Sequence, residues 1–517
     1  MTDDPIPRRQ YYLTRNAVTE VPQGYRCVEL DTWNVVCDDS FTVLPVLADG
    51  RRIGIVFGTV LDVESRRSGD EIRLGDDLAD PIVDAFEDVL RGLLGRYVGL
   101  LDADGVHRVY PDSAAALPVV YHKDEPVVAA SPLAIPSVSH ARDFRADLFE
   151  AVRWPLISRG CNTWVPGKLT YYRGVERLLP NHYLDLKRWE AVRYWPRDGQ
   201  RDDAANGGSA DEEIQTVVET LQHLFDRIAS VYRRPAMPLT AGKDSRLLLA
   251  VARELVEDGT VSLYTFGGSD YEVDPHIARR IASDHRLDWR PLRIVEATTS
   301  EQKAWLRATG CTVSSAIREI HPTLRSLDAD VQIGGLGGEI ARGYFWRESD
   351  RAETEIDPVE LLFRFSKPPH PELISSLEAW YEGVGHLDTY TMLDLAYQEH
   401  RLGCWAGPQH LGLPPGLDYI RPLWYRPIIE SMHRLPPEMR RADEFPTRIV
   451  ETCWPELNDY PYNSFTDWKG YWKTARRGVK GAATTVSNPR MAAYYLSRKY
   501  VSRDGVDAVV ATLRERT

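Results

Sequence analysis

"MPLTAGKDSRLLLA", Met237–Ala250, is the stretch on which the fold turns. It reads as a short strand, a tight loop and the start of an apolar helix. The loop gathers Thr240, Gly242, Lys243, Asp244 and Ser245. A strand running through glycine into a helix aims backbone N–H groups and the positive helix end at one point, which favours an anion. Gly242 lets the backbone approach closely. Thr240 and Ser245 add hydroxyl donors, and Lys243 adds charge. Asp244 is out of place against an anion unless it holds Mg²⁺, which bridges carboxylate and phosphate oxygens. The plain alternative is a strand-to-helix turn with Asp as a cap. A Walker A loop does not fit, because Met237 stands at its first glycine and Asp244 follows Lys243. GxGxxG fails both here and at "GGLGGE", so a nicotinamide dinucleotide fold is not supported.

Working outward, "TVSLYTFGG" is a second strand ending in glycines, "EVDPHIARRIASDHRL" is helical, and "DWRPLRI" is a strand. "DADVQIGGLGGE" is a third strand-to-glycine turn, and its Glu339 is a second carboxylate for a metal. The bland reading of that turn is a flexible loop. Upstream, Ile214, Val217, Val218, Leu221, Leu224, Phe225, Ile228 and Val231 follow helical spacing. Alternating strands and helices predict a parallel sheet covered by helices, with ligands at the carboxyl ends of its strands. Residues 355–460 read as mostly helical. From Tyr11 to about Tyr194 the chain reads instead as strands and hairpins, with turns at Asp104-Gly105 and Lys123-Asp124 and one helix around Pro81 to Leu94. "WPRDGQRDDAANGGSADEE" has no apolar periodicity and is the best linker.

The bulk properties agree with a folded, soluble chain. It has 517 residues, 43% hydrophobic and 27% charged, which requires at least two domains. A formal charge of -13 argues against non-specific nucleic-acid binding, which needs Lys and Arg against phosphates. The six cysteines (27, 37, 161, 311, 404, 453) form no CxxC pair, so reduced thiols are expected rather than a zinc site or disulfide framework. The polar start and the lack of a long apolar run predict a cytoplasmic protein without a membrane segment.

"LTAGKDSR" resembles the SGGxDS pyrophosphate loop of the asparagine synthetases, β-lactam synthetases and lasso-peptide cyclases. Thr240 stands at the family's Ser and Ala241 at its first Gly; Gly242, Asp244 and Ser245 match. "GGLGGEIARGY" resembles SGEGADELFGGY, and "IRPLWYRPIIESMHRLPPEMRR" resembles the "VPFLD…LPPELK" region. "GRYVGLLDADGVHRVYPDSAAALPVVYHKDEPVVAASPLAI" and "TYYRGVERLLPNHYLDLKRWEAVRYWP" carry the rhythm of a class II glutaminase domain. The resemblance implies a two-domain α/β protein. Residues 1–197 would be a β-rich, αββα-type (Ntn-like) glutaminase-like domain and 198–212 a linker. Residues 213–517 would be a parallel-sheet ATP-pyrophosphatase (HUP-like) domain with a helical C-terminal extension. A glutaminase of this type needs an N-terminal cysteine; this chain starts Met1-Thr2, and its first cysteine is Cys27. Glutamine hydrolysis is therefore not expected. Leu336 replaces a Glu of the asparagine synthetases, and Glu339 a usual Asp.

By the same resemblance the expected activity is ATP-dependent adenylation of a carboxylate followed by amide formation with an amine. The acid would be a small molecule or a peptide, coupling would be intramolecular or intermolecular, and a homodimer is admissible. Thr240, Ala241, Gly242, Asp244 and Ser245 would hold pyrophosphate. Asp244 and Glu339 would hold Mg²⁺, and Leu239, Thr265, Phe266, Gly334 and Gly335 would line the nucleoside. Lys243 and Arg246 flank the loop and either could touch phosphate; Lys243 is a catalytic candidate, and the plain reading of Arg246 is a surface residue. Lys469 and Lys473 of "DWKGYWK" are candidates for the family's transition-state lysine, against plain solvated lysines. Glu319 is a guess for the amine base, against the plainer reading of a helix-surface carboxylate. Trp405, Trp424, Tyr425, Trp454, Tyr462, Trp468 and Trp472 either wall a pocket or form core. His400 and His410 read as structural. Two other classes stay open: a catalytically silent nucleotide-binding scaffold, and an adenylating enzyme whose product is not an amide.

Overall fold

Three β-sheets organise the chain in the computed structural model, which describes residues 8–74, 81–152, 163–196, 209–267, 273–312 and 315–464. The first fourteen strands are β1 (Tyr11–Thr14), β2 (Tyr25–Glu29), β3 (Asn34–Asp38), β4 (Thr42–Ala48), β5 (Arg51–Asp62), β6 (Arg67–Ser68), β7 (Glu71–Arg73), β8 (Leu93–Ala103), β9 (Val106–Pro111), β10 (Val119–His122), β11 (Val127–Ala129), β12 (Val175–Leu178), β13 (His182–Asp185) and β14 (Glu190–Arg193). They form a six-stranded sheet ordered β12-β10-β11-β1-β3-β2 and an eight-stranded sheet ordered β14-β13-β9-β8-β5-β4-β7-β6. The predicted hairpins are present. Asp104 and Gly105 both take positive φ, 53° and 76°, between β8 and β9, as a two-residue hairpin turn requires.

Alternation along these strands explains how the sheets stack. Tyr11, Leu13, Val35 and Cys37 of one sheet share a core with Ile55, Phe57, Val98 and Leu100 of the other. Their neighbours Tyr12 and Val36 point the opposite way, into a separate cluster. Val56 and Leu101 likewise pack with Phe86, Val89 and Leu90 of the helix Ile82–Arg91. Period-two patterning thus gives each sheet two apolar faces, one of them against the other sheet. The helix ends sooner than the sequence reading: Leu93 and Leu94 already belong to β8.

The second half carries β15 (Pro235–Pro238), β16 (Ser262–Phe266), β17 (Trp289–Leu292), β18 (Val331–Ile333) and β19 (Asp418–Ile420), ordered β17-β16-β15-β18-β19 and parallel at every pairing. Both faces are covered. Met237 and Leu263 pack into one cluster with Leu247, Leu248 and Leu249, while Ala236 and Tyr264 pack into another with Trp305 and Leu413. Burying each such leucine contributes about 1.5–3 kcal/mol. The prolines of β15 sit at its first and last residues, where least ladder hydrogen bonding is lost.

The helix Ala210–Val231 opens with a capping box between Ser209 and Glu212. It therefore takes residues 210–212, which the sequence reading gave to the linker; 198–208 lie outside the described residues. Ile214 through Ile228 of the expected stripe are buried, but Val231, the last residue of the helix, is 55% exposed. β19 is a strand within a stretch read as helical. The two halves share buried contacts: Gln10 donates to the Ala308 carbonyl at 3.0 Å, Thr163 to the Cys311 carbonyl at 2.6 Å, and Arg193 bridges Glu399. Among the described residues no helix is long and apolar enough to cross a membrane.

Candidate functional site

The strand order locates the site before any side chain is considered. The chain steps from β15 through β16 to β17 on one side, then returns to place β18 on the other side of β15. The crevice beyond the carboxyl ends of β15 and β18 is thus the topological switch point, where open parallel sheets bind ligands. The two loops leaving those strands are "LTAGKDS" and "GGLGGE". Gly335 lies so close to Asp244 that a Cβ there would stand 3.2 Å from the Asp244 carbonyl carbon. A Cβ on Gly338 would stand 2.5 Å from Asp244 Oδ1, and one on Gly337, where φ is 128°, 2.8 Å from Trp424. Glycine is needed here because the second loop is pressed against the helix start.

The first loop is preorganised by its own side chains. Leu239 donates to the Tyr264 carbonyl at 2.8 Å, extending the ladder. The Ala241 N–H is taken by Asp274 at 2.8 Å, and the Gly242 N–H by Thr240 Oγ1 at 3.0 Å. The Thr240 and Ser245 hydroxyls meet at 2.6 Å, so in this state they hold the turn rather than offer themselves outward. Gly242 caps the helix Lys243–Val251 and has no side chain to satisfy its first-turn donors. Leu239 and Ala241 are fully buried. Thr265 is buried, accepts from Trp289 Nε1 at 2.8 Å and donates to the Leu239 carbonyl. Phe266 is half-buried at the end of β16. Gly334, at the end of β18, donates to the Ile420 carbonyl at 2.9 Å and lies under the Tyr419 ring.

Charge is concentrated where the loops meet. Arg342 donates to both oxygens of Asp244, at 2.9 and 3.0 Å. It also lies 3.8 Å from Glu339 and 3.7 Å from Asp443. Lys243 pairs with the other oxygen of Asp443. Glu339 accepts from the Gly337 N–H at 3.0 Å. Three carboxylates therefore share two cations. Burial pushes the Asp244 carboxyl well above the ordinary carboxylate range, and Glu339 pushes it the same way; Arg342 opposes both. Burial works against the Arg342 charge too, but Asp244, Glu339 and Asp443 hold it protonated.

Asp244 and Glu339 offer hard oxygen donors of the kind Mg²⁺ takes alongside phosphate oxygens. The absence of a side chain at Gly338 keeps Asp244 Oδ1 clear of a Cβ that would stand 2.5 Å away. Among the described residues no group of three His, Cys, Asp or Glu side chains stands ready to hold a metal alone. Asp244 and Glu339 would supply two of such an ion's oxygen ligands.

Other expectations change. Arg246 is not a surface residue: it is 0% exposed and donates to the Tyr460 carbonyl at 2.6 Å and the Pro461 carbonyl at 3.0 Å. It ties the segment after Trp454 to the loop helix, and Asn463 donates to the Ala241 carbonyl at 2.9 Å from that segment. Glu319 is 54% exposed beside Arg318, a helix-surface carboxylate rather than part of the Asp244 cluster. Trp424, Tyr425 and Trp454 are core, with Trp424 also backing Gly337; Leu336 packs against the same core. His400 and His410 are buried and structural, His400 accepting from the Gly167 N–H at 3.1 Å. Lys469, Lys473, Trp468, Trp472 and Cys161 lie outside the described residues.

Three residues of the site escaped the sequence reading: Arg342, Asp443 and Arg421. Arg421 follows β19, and its guanidinium lies 4.8 Å from the Tyr419 ring centre and 4.4 Å from that of Trp424. One nitrogen meets His410 at 3.2 Å, while Nε and Nη1 are buried without a partner. The only signal in sequence was a basic residue just past a short apolar run, which is common.

No family model matches the chain, and no curated protein does. Among solved structures it is similar to a U34-tRNA thiolase, NcsA, from Methanococcus maripaludis with a [4Fe-4S] cluster, at 12% identity and a TM-score of 0.21 over 48% of this chain and 76% of that one. It is similar to an NMN synthetase from Francisella tularensis at 12% identity and TM-score 0.20, over 38% of this chain and 94% of that one. An NH3-dependent NAD synthetase from Campylobacter jejuni gives 11% and 0.20, over 40% of this chain and 98% of that one. Likeness at this level leaves the reading of the site to its own geometry.

Proposed function

We propose that the chain is an ATP-dependent enzyme that adenylates a carboxylate and couples it to an amine without hydrolysing glutamine. The supporting observation is the meeting of the "LTAGKDS" and "GGLGGE" loops at the switch point of a parallel sheet, with Asp244 and Glu339 both beside Arg342. In this reading the uncapped start of the Lys243–Val251 helix receives the phosphates, and Lys243 adds charge beside them. A divalent ion held by Asp244 and Glu339 would supply charge stabilisation on the phosphate oxygens. A carboxylate oxygen attacks the α-phosphorus, and the bond to pyrophosphate breaks. The amine nitrogen then attacks the acyl carbon, and AMP leaves. Arg421, a half-buried cation whose Nε and Nη1 have no hydrogen-bond partner, suits the carboxylate of the acid, because a guanidinium fork matches that group.

The test is exchange of labelled pyrophosphate into ATP across a panel of acids, followed by mass spectrometry of products formed with added amines. Acid-dependent exchange and an amide product support the proposal. Exchange with a product that is not an amide moves the chain to another adenylating class. A specific observation also favours the scaffold reading: Arg342 engages both oxygens of Asp244. That reading predicts nucleotide binding with no exchange for any acid.

A further inference from the structure

We infer that Arg342 is the resting counter-cation of Asp244 and yields it to a divalent ion only when a polyphosphate arrives with that ion. This rests on the proposed nucleotide site. Both Asp244 oxygens are engaged by one Arg342 nitrogen, at 2.9 and 3.0 Å, so an ion seeking this carboxylate meets an occupied ligand. Arg342 is not locked in place. Its side chain is 22% exposed, whereas the guanidinium of the structural pair Arg364–Asp350 belongs to a side chain that is 4% exposed. Two alternative partners are already at hand, Glu339 at 3.8 Å and Asp443 at 3.7 Å, and Nε is tethered to the Gly338 carbonyl at 3.3 Å. A small shift therefore frees Asp244 without stranding the arginine.

The exchange is uneven between a bare ion and an ion on a polyphosphate. A bare ion would displace Arg342 and gain Asp244 and Glu339, while Asp443 is already paired with Lys243, and among the described residues no three such side chains are placed to hold an ion together. An ion on a polyphosphate brings its own oxygens, and the released guanidinium gains a phosphate to which its fork is matched. Metal and nucleotide are thus coupled through one side chain, and the coupling is reciprocal. Arg342 is a positioning residue in this scheme, acting on the ion through Asp244.

The experiment is a Mn²⁺ titration of the full chain by electron paramagnetic resonance, without nucleotide and then with a non-hydrolysable ATP analogue. Wild type should bind Mn²⁺ alone weakly and with the analogue strongly. Arg342→Gln should bind Mn²⁺ alone at least about tenfold more tightly, as expected when a contacting charge beside a metal ligand is removed. Its affinity should then depend less on the analogue, and adding Asp244→Asn should erase the gain. Arg342→Lys, which keeps the charge, should stay near wild type and serves as the comparison if the Gln variant melts early. Equal Mn²⁺ affinity of wild type and Arg342→Gln without nucleotide would overturn the inference while leaving the nucleotide site standing. Failure of wild type to bind the analogue with Mn²⁺ would overturn the site itself.

Discussion

Two buried charge clusters in this molecule are built on opposite plans. Around Glu399, one carboxylate takes two hydrogen bonds from Arg193 at 2.5 and 2.8 Å, one from Asn181 at 2.8 Å and one from Trp380 at 2.6 Å. Burial works against that charge, but Arg193 and the other donors overcome it and take the carboxyl down to about 2. Around Asp244, three carboxylates share two cations, and burial together with Glu339 drives the carboxyl up. The first cluster is complete and joins β14 to the helical region of the second half. The second leaves its carboxylates less completely hydrogen-bonded, Asp443 Oδ1 having no hydrogen-bond partner, and lies at the mouth of a parallel sheet. A charge stabilised by its surroundings suits a structural role; a charge held in spite of them is what a functional site needs.

The contrast gives ordered predictions. Asp244→Asn should abolish AMP formation, yet unfold no earlier than wild type, because the folded state disfavours the charge that is removed. Early melting would make Asp244 a structural residue like Glu399. Glu399→Gln should do the reverse, costing about 3–5 kcal/mol in denaturant unfolding while exchange activity per folded molecule is retained. A smaller effect comes from His400, which burial holds neutral, its pKa lowered to about 3. The folded chain binds fewer protons there than the unfolded one, so stability is full above pH 6.5 and declines as pH falls toward 3. Between pH 6.5 and 5 this one group should cost about 2 kcal/mol, and His400→Gln should flatten the slope. Smallest, Gly338→Ala should weaken ATP binding about tenfold, since a Cβ 2.5 Å from Asp244 Oδ1 forces that carboxylate to turn away from its place. Unchanged ATP affinity would place the nucleotide elsewhere.

Much of the architecture was legible because it is written locally. Alternation in β1, β3 and β5, the Asp104-Gly105 turn and the glycine-terminated strands β15, β16 and β18 all lie within a few residues of their cause. β19 was not legible, since three residues between prolines carry too little periodicity to separate strand from loop. The site divides in the same way. Thr240, Gly242, Asp244, Ser245 and Glu339 stand in two short strand-to-glycine turns, where residue type and position can be read together. Arg342 is 98 residues from the carboxylate it neutralises, and Asp443 is 200 from Lys243, so no local pattern links them. Arg246 was misread for the same reason: the carbonyls that bury it lie more than two hundred residues downstream.

The most direct measurement is a crystal structure of the chain with Mg²⁺ and a non-hydrolysable ATP analogue. The account predicts triphosphate density between the 239–245 and 334–339 loops, an ion touching Asp244 and Glu339, and the Arg342 guanidinium turned away from Asp244. Triphosphate density in another cleft, with the Arg342–Asp244 pair intact, would contradict it.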